Sequence, residues 1–297
     1  IQESQLITID GKVMAVAFMA NAQHLYIRTD VLKQHGISTP KTYEEVVAAA
    51  EKIRAAGKMK YPYAAAYKAG WNLAEEFVNM YIGHGGEFFK SGTATPSINN
   101  AKGVATLNML KKLADLSNPD FLTHDSEAIK VEWEAGNVAI MTLWASRAGT
   151  LLDAEGDAKI TAATKLIAPA TVGGGNIPAT TLWWDGFTLA KNRSDADAEA
   201  SFRAMAHAAS SKEMVAKAAD QAVWLIEGFV PGPKSVGVIK AVEMGAKPYP
   251  MLPQMGLMHG ALGNEIVEFL QGNETAEQAL KDVEAAYTTK AKEQGFL

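Results

Sequence analysis

The segment TTLWWDGFTLAK, Thr180–Lys191, sets two tryptophans side by side and follows them with Asp185 and Gly186. It comes after the glycine-rich loop TVGGGNIPATT and before the polar stretch NRSDADAEA, and its aromatic and β-branched content reads as a strand. Neighbouring side chains on a strand point to opposite faces. Trp183 and Trp184 therefore cannot share one core: one can be buried, and the other is left for a surface.

Working outward, the flanks alternate short strands with helices. ITIDGKVMAVAF reads as a hairpin about Asp10-Gly11. A strand follows near Leu25–Ile27, then a short helix closed by Gly36. STPKTYEEVVAAAEKIRAAG carries a capping box, Thr42 with Glu45, and Gly57 ends it. YPYAAAY is a short strand, and WNLAEEFVNMYI is a helix with Leu73, Phe77 and Tyr81 on one stripe. In EWEAGNVAIMTLWAS a helix ends, Gly136-Asn137 turns, and a strand runs out at Trp144. Ser194 with Asp197, Ser210 with Glu213 and Thr275 with Gln278 are further capping boxes. The alternation predicts an α/β protein with mainly parallel sheets.

The 297 residues are 48% hydrophobic, enough for two lobes of ordinary size. A net charge of −5 and the lack of any lysine or arginine run argue against a nucleic-acid partner. With no cysteine there is no disulfide, thiolate metal site or thiol nucleophile. No apolar run is long enough for a membrane-spanning helix. The opening IQESQLITIDGKV is polar and has no initiator methionine, as expected of a piece of a longer chain.

The usual catalytic motifs are absent. Gly173–Gly175 lack the lysine and helix start of a phosphate cradle. None of the six histidines forms an i, i+3 or i, i+4 pair, so no metal and no cofactor is expected. Glu44-Glu45 and Glu75-Glu76 read as solvated helix faces. A glycosidase-type carboxylate pair stays open, because such pairs are assembled in space.

The tryptophans fall where elements begin or end: Trp71 at a strand-to-helix turn, Trp144 at a strand end, Trp183 and Trp184 at a strand start, Trp224 before a proline-rich break. Ligands of open α/β sheets bind beyond strand ends, and aromatic faces suit the flat apolar faces of sugars. Trp133, in mid-helix, and Trp183 are expected in the core.

Six segments in order resemble the family 1 solute-binding proteins of bacterial ABC importers, the sugar-binding group that includes maltose-binding protein. They are DGKVMAVAF; LYIRTDVLKQHGISTPKTYEEVVAAAEKI; WNLAEEFVNMYIGHGGEFF; EWEAGNVAIMTLWAS; WWDGFTLAKNRSDADAEASFRAMAHAASSKE; and the region around PQM, YPMLPQMGLMHGALGNEIVEFLQGNETAEQALKDVEAAY. The resemblance implies a type II periplasmic-binding fold, two α/β lobes joined by crossovers and closing on a sugar by a hinge. Lobe one would be residues 1–20 and 172–234, incomplete because the family carries further strands before DGKVMAV. Lobe two would be residues 21–171 and 235–297.

On this reading the protein is a non-catalytic receptor, periplasmic or surface-anchored, with a sugar or polyol as ligand, the permease subunits of an ABC transporter as partners, and a monomeric full-length form. Trp144 matches the family's stacking position, and Trp71 is the next wall. Trp184 faces the cleft with Asp185 as a hydroxyl acceptor beside Gly186, while Trp183 packs inward. Asn21 and Gln23, at the first crossover, reach polyol oxygens. His259 follows PQM where the family often has an aromatic, and Arg147 is either a surface ion pair or a contact to an acidic sugar. A carbohydrate-active enzyme with the same tryptophans is the alternative, followed by a binding protein for a non-sugar ligand.

Overall fold

At Ala22 the chain passes from one sheet to another. The passage is seen in a computed structural model that describes residues 6–9, 11–152, 157–210 and 212–297. Before it, β1 (Leu6–Ile9) and β2 (Lys12–Asn21) form the expected hairpin, with Ile9 opposite Lys12. Gly11 takes φ +73°, as a tight two-residue connection requires; Asp10 lies outside the described residues. After Ala22, β3 (Gln23–Arg28) joins a sheet ordered β4 (Tyr63–Ala64), β5 (Ile140–Trp144), β3, β6 (Thr164–Leu166). The first sheet continues from β2 to β7 (Thr181–Phe187), with β8 (Val223–Trp224) also on β2 and β9 (Lys247–Pro248) on β7.

Among the described strands only β4–β5 and β7–β9 pair parallel; every other pair is antiparallel. The expectation of mainly parallel sheets is corrected accordingly. Parallel pairing follows when a strand returns through a helix to its own sheet. Here β2 and β3 are consecutive yet lie in different sheets, and each takes partners from distant segments.

The helices are α1 (Thr29–Gln34), α2 (Tyr43–Ala55), α3 (Trp71–Gly83), α4 (Ala101–Ala114), α5 (Ser126–Glu134), α6 (Ala148–Leu152), α7 (Ala158–Ala163), α8 (Asp195–Ser210), α9 (Lys212–Lys217), α10 (Val236–Glu243), α11 (Met255–Glu265), α12 (Val267–Gln271) and α13 (Ala276–Glu293). Thr42, Ser194 and Thr275 cap their helices through the N–H of Glu45, Asp197 and Gln278 at 3.1, 3.1 and 3.2 Å. The reciprocal halves differ from the boxes expected: the Glu45 carboxylate accepts from the Lys41 N–H at 2.6 Å, and Gln278 turns to Asp282. The Ser210–Glu213 box involves a side chain outside the described residues.

The four-stranded sheet is covered on both faces. Leu25, Ile27 and Ile140 enter the main core, while Tyr26, Met141 and Leu143 alternate to the other side around Trp133. Behind the sheet lies α3, whose residues from Leu73 to Gly83 are all buried. A helix apolar nearly all round belongs inside a protein, and Leu73, Phe77 and Tyr81 share a core with Leu262 of α11 and Leu280 of α13. This corrects the solvated face expected for Glu75 and Glu76, which are 0% and 4% exposed.

The start of α3 is set by close approach to α11. The Gly70 N–H donates to the Gly263 carbonyl at 2.9 Å, and a Cβ on Gly263 would lie 2.2 Å from the Gly70 carbonyl oxygen. That contact holds Trp71, which follows Gly70, against His259, one helical turn before Gly263. Gly263→Ala is therefore expected to cost roughly 1–3 kcal/mol, the usual penalty of overpacking, and to alter the near-ultraviolet circular dichroism of the Trp71–His259 pair. Denaturant melts and spectra of the variant check both; wild-type values would show that the contact is slack.

Candidate functional site

Distant segments deliver aromatic rings to one place. Trp71 opens α3, Trp144 ends β5, Trp183 lies early in β7, His259 comes from α11, and Tyr249 follows β9. The Trp71 ring centroid is 5.0 Å from His259, 5.8 Å from Trp183 and 6.3 Å from Trp144. Trp144 and Trp183 are 6.1 Å apart at 84°, and Tyr249 lies 4.4 Å from Trp183. The indoles form a corner rather than a stack. Trp71 is 50% exposed and Trp144 and Trp183 are half-buried, so ring faces remain open to solvent.

Strand register explains the meeting. Asn21 on β2 is opposite Trp183, and Gln23 on β3 is opposite Trp144. Only Ala22 separates them, and its carbonyl accepts from the Ala145 N–H at 2.9 Å. The Asn21 amide clasps the same end of β5: its Nδ2 donates to Ser146 Oγ, and its Oδ1 accepts from the Ser146 N–H, both at 3.2 Å.

The two adjacent tryptophans do face opposite ways, but it is Trp183, expected to pack inward, that meets the other rings, and not Trp184. Thr181 and Trp183 share the face of β7 that looks onto α3, so Trp183 joins the ring cluster. Trp184, 37% exposed, lies on the other face. Its ring covers Gly186, where a Cβ would come within 2.8 Å of it. Alternation told the faces apart; which one meets α3 depends on polar partners far away in sequence. Asp185 is exposed beyond Trp183. Gln23 is buried, 2% exposed, and bonds Glu76. Arg147 is ion-paired with Glu127. Trp133 is core, and Trp224 lies apart, donating to the Ala218 carbonyl at 2.8 Å.

Beneath the rings burial favours the uncharged forms of the polar groups. His259 Nε2 lies 3.0 Å from the Trp71 carbonyl, which can only accept, so this nitrogen carries the hydrogen. Nδ1 then accepts from the Tyr249 hydroxyl at 2.9 Å. Burial holds the His259 pKa below the usual histidine range. Glu75 Oε1 accepts from Trp183 Nε1 at 3.0 Å and from the Thr181 hydroxyl at 2.8 Å. Burial raises the Glu75 carboxyl to about 8 against the pull of those hydrogen bonds. Glu76 is also raised to about 8, by burial first and then by the neighbouring Glu75. Tyr249 and the buried carboxyls are the site groups that sequence reading missed. The available signal was α3 itself, where Glu75 and Glu76 sit among Leu73, Ala74, Phe77 and Val78.

Other features serve structure. The Gly173 N–H donates to Glu44 at 2.8 Å, so a carboxylate already occupies the glycine loop, and Glu44 is tied down. Among the described residues no group of three or more histidines and carboxylates is placed to hold a metal. A cavity of about 820 Å³ lies away from the indoles, between Gly85–Ala94 and Lys247–Gln254.

Comparison with known proteins agrees with this architecture. The profile of the family described as bacterial extracellular solute-binding protein matches residues 4–222. A probable ABC transporter-binding protein of Deinococcus radiodurans is 30% identical over 143 residues, 46% of this chain and 34% of that protein. The chain thus spans about a third or less of the curated relatives it matches. Maltose-bound MalE3 of T. maritima superposes with a TM-score of 0.80 at 19% identity, over 97% of this chain and 76% of that one. A solute-binding protein of Agrobacterium radiobacter K84 in complex with ribitol gives 0.80 at 20% identity, over 96% and 73%. The fold is that of the periplasmic binding proteins.

The buried carboxyls predict a pH dependence. Unfolded, each glutamate ionises near its ordinary value; folded, near pH 8. Between the two the folded chain keeps protons that the unfolded chain has released, so rising pH favours unfolding. Below about pH 6.5 the buried His24 and His259 and the half-buried His84 act the opposite way, since their folded pKa values are depressed. From pH 6.5 to 8 the unfolding free energy should fall by roughly 1–2 kcal/mol per carboxyl. Glu75→Gln should remove about half of that slope. Urea titrations across this range check it; equal slopes in both proteins would contradict it.

Proposed function

The chain belongs to the bacterial extracellular solute-binding protein family, and from that premise we propose that it binds a neutral sugar or polyol and delivers it to the permease of an ABC importer. The observation that carries the reading is the corner of Trp71, Trp144 and Trp183, with centroids 5.8 to 6.3 Å apart. Such faces hold the apolar side of a sugar ring by burial and by contact with the negative π surface. Neutrality of the ligand follows from its surroundings. Burial disfavours the charged forms of Glu75, Glu76 and His259, and the Arg147 guanidinium is engaged by Glu127. An anionic ligand would find no unpaired cation among these side chains.

The ligands of the superposed structures, maltose and ribitol, suit the same chemistry. The protein works outside the cytoplasmic membrane, as a monomer in its full-length form, with two lobes, a partial one of residues 1–20 with 172–234 and one of residues 21–171 with 235–297, that close on the ligand by a hinge. It is not an enzyme on this reading. Glu75 and Glu76 are adjacent on a helix, where neighbouring side chains diverge, and they are buried, so they cannot flank a scissile bond as glycosidase carboxylates do.

Trp144→Ala is expected to weaken binding of the preferred sugar by roughly 1–3 kcal/mol while leaving the fold intact. Arg147→Ala should leave affinity within about twofold. Titration calorimetry checks both, and chromatography should return the sugar unaltered. Unchanged affinity without Trp144, or products in the chromatogram, would defeat the proposal.

A further inference from the structure

We propose that Glu75 is a positioning residue that holds Trp183 as a wall of the cleft through its indole N–H, so that Trp183 offers the ligand an aromatic face and no hydrogen-bond donor. The proposal rests on the carbohydrate reading above. It names a residue that is fully buried, 0% exposed, and acts on the ligand only through another side chain.

Indole Nε1 is a donor only, and in Trp183 it has partners on the protein side alone: Glu75 Oε1 at 3.0 Å and Thr181 Oγ1 at 2.9 Å. The Thr181 hydroxyl is in turn 2.8 Å from Glu75 Oε1 and 2.7 Å from Asn79 Oδ1. The one Thr181 hydroxyl hydrogen goes to one of these two oxygens, so Thr181 and Trp183, on one face of β7, are both tied to the single turn of α3 that carries Glu75 and Asn79. Because α3 is buried from Leu73 to Gly83, it is a fixed support. Without the Glu75 acceptor the indole N–H would be left to Thr181 or would turn toward water. A turned ring would lose its tilted contact with Tyr249 and its edge contacts with Trp71 and Trp144. The carboxyl also suits the task chemically: the carbonyl oxygen of a neutral acid accepts from the indole without placing a charge beneath the sugar.

The test compares wild type, Glu75→Leu, Glu75→Met and Glu75→Gln, each alone and with Trp183→Phe. The first readout needs no ligand: solvent exchange of the Trp183 indole N–H, identified in nitrogen-15 spectra as the resonance lost in Trp183→Phe. Exchange should be slow in wild type and Glu75→Gln, whose amide oxygen still accepts, and at least about tenfold faster in Glu75→Leu and Glu75→Met. The second readout is affinity for maltose and for ribitol. Glu75→Leu should lose about tenfold, Glu75→Gln should stay near wild type, and in the Trp183→Phe background Glu75→Leu should change little further. Slow exchange in cooperatively folded Glu75→Leu or Glu75→Met would overturn the proposal, as would an equal affinity loss in the Trp183→Phe background. If wild type binds neither ligand, that counts against the carbohydrate reading, and the exchange rates still decide the role of Glu75.

Discussion

A single residue, Ala22, separates the pairing of Asn21 with Trp183 from the pairing of Gln23 with Trp144, and the rest of the site depends on that spacing. Because β2 hands the chain to β3 in one step, the ends of β5 and β7 are carried side by side from two different sheets. The junction admits this approach because alanines make up much of its lining, beside Val223 and Val238. Ala22 is fully buried in a cluster with Ala145, Ala241 and Ala246, where a longer side chain would push the sheets apart. The Asn21–Ser146 bonds then fix the end of β5. The tryptophan corner is thus a consequence of backbone register before it is one of side-chain packing.

The corner stands on a floor that is polar and neutral. Burying two carboxyls and a histidine beneath aromatic rings costs stability, and the protein limits that cost by keeping them uncharged. Two of the three make hydrogen bonds to the aromatic walls or their strand: His259 bridges the Trp71 carbonyl and Tyr249, and Glu75 bridges Thr181 and Trp183. The result suits a ligand rich in hydroxyls and apolar faces and poor in charge.

What could be read from the sequence was local. Helix caps at Thr42, Ser194 and Thr275, the left-handed glycines Gly11, Gly36 and Gly57, the core placement of Trp133 and the strand ending at Trp144 each depend on residues a few positions apart. What could not be read depends on distance. Sheet direction required knowing that β3 pairs with β5 more than a hundred residues later. The face of Trp183 was decided by Glu75, 108 positions away. Arg147 could be read either as a surface ion pair or as a sugar contact, and it is Glu127, 20 positions earlier, that engages it. Tyr249 carried no mark of its own, since its place is set by β9 pairing with β7. The adjacent glutamates looked like a surface because charge usually means water, and only the unbroken burial of α3 overrides that rule.

The central claim is that the indole corner, and not another concavity, is where ligand sits. A crystal structure of the protein grown with a neutral sugar that stabilises it against heat tests this most directly. The account predicts the sugar ring against the face of Trp144 with Trp71 and Trp183 in van der Waals contact and no charged group touching it. A sugar lodged instead in the cavity between Gly85–Ala94 and Lys247–Gln254, with the tryptophan corner vacant, would contradict it.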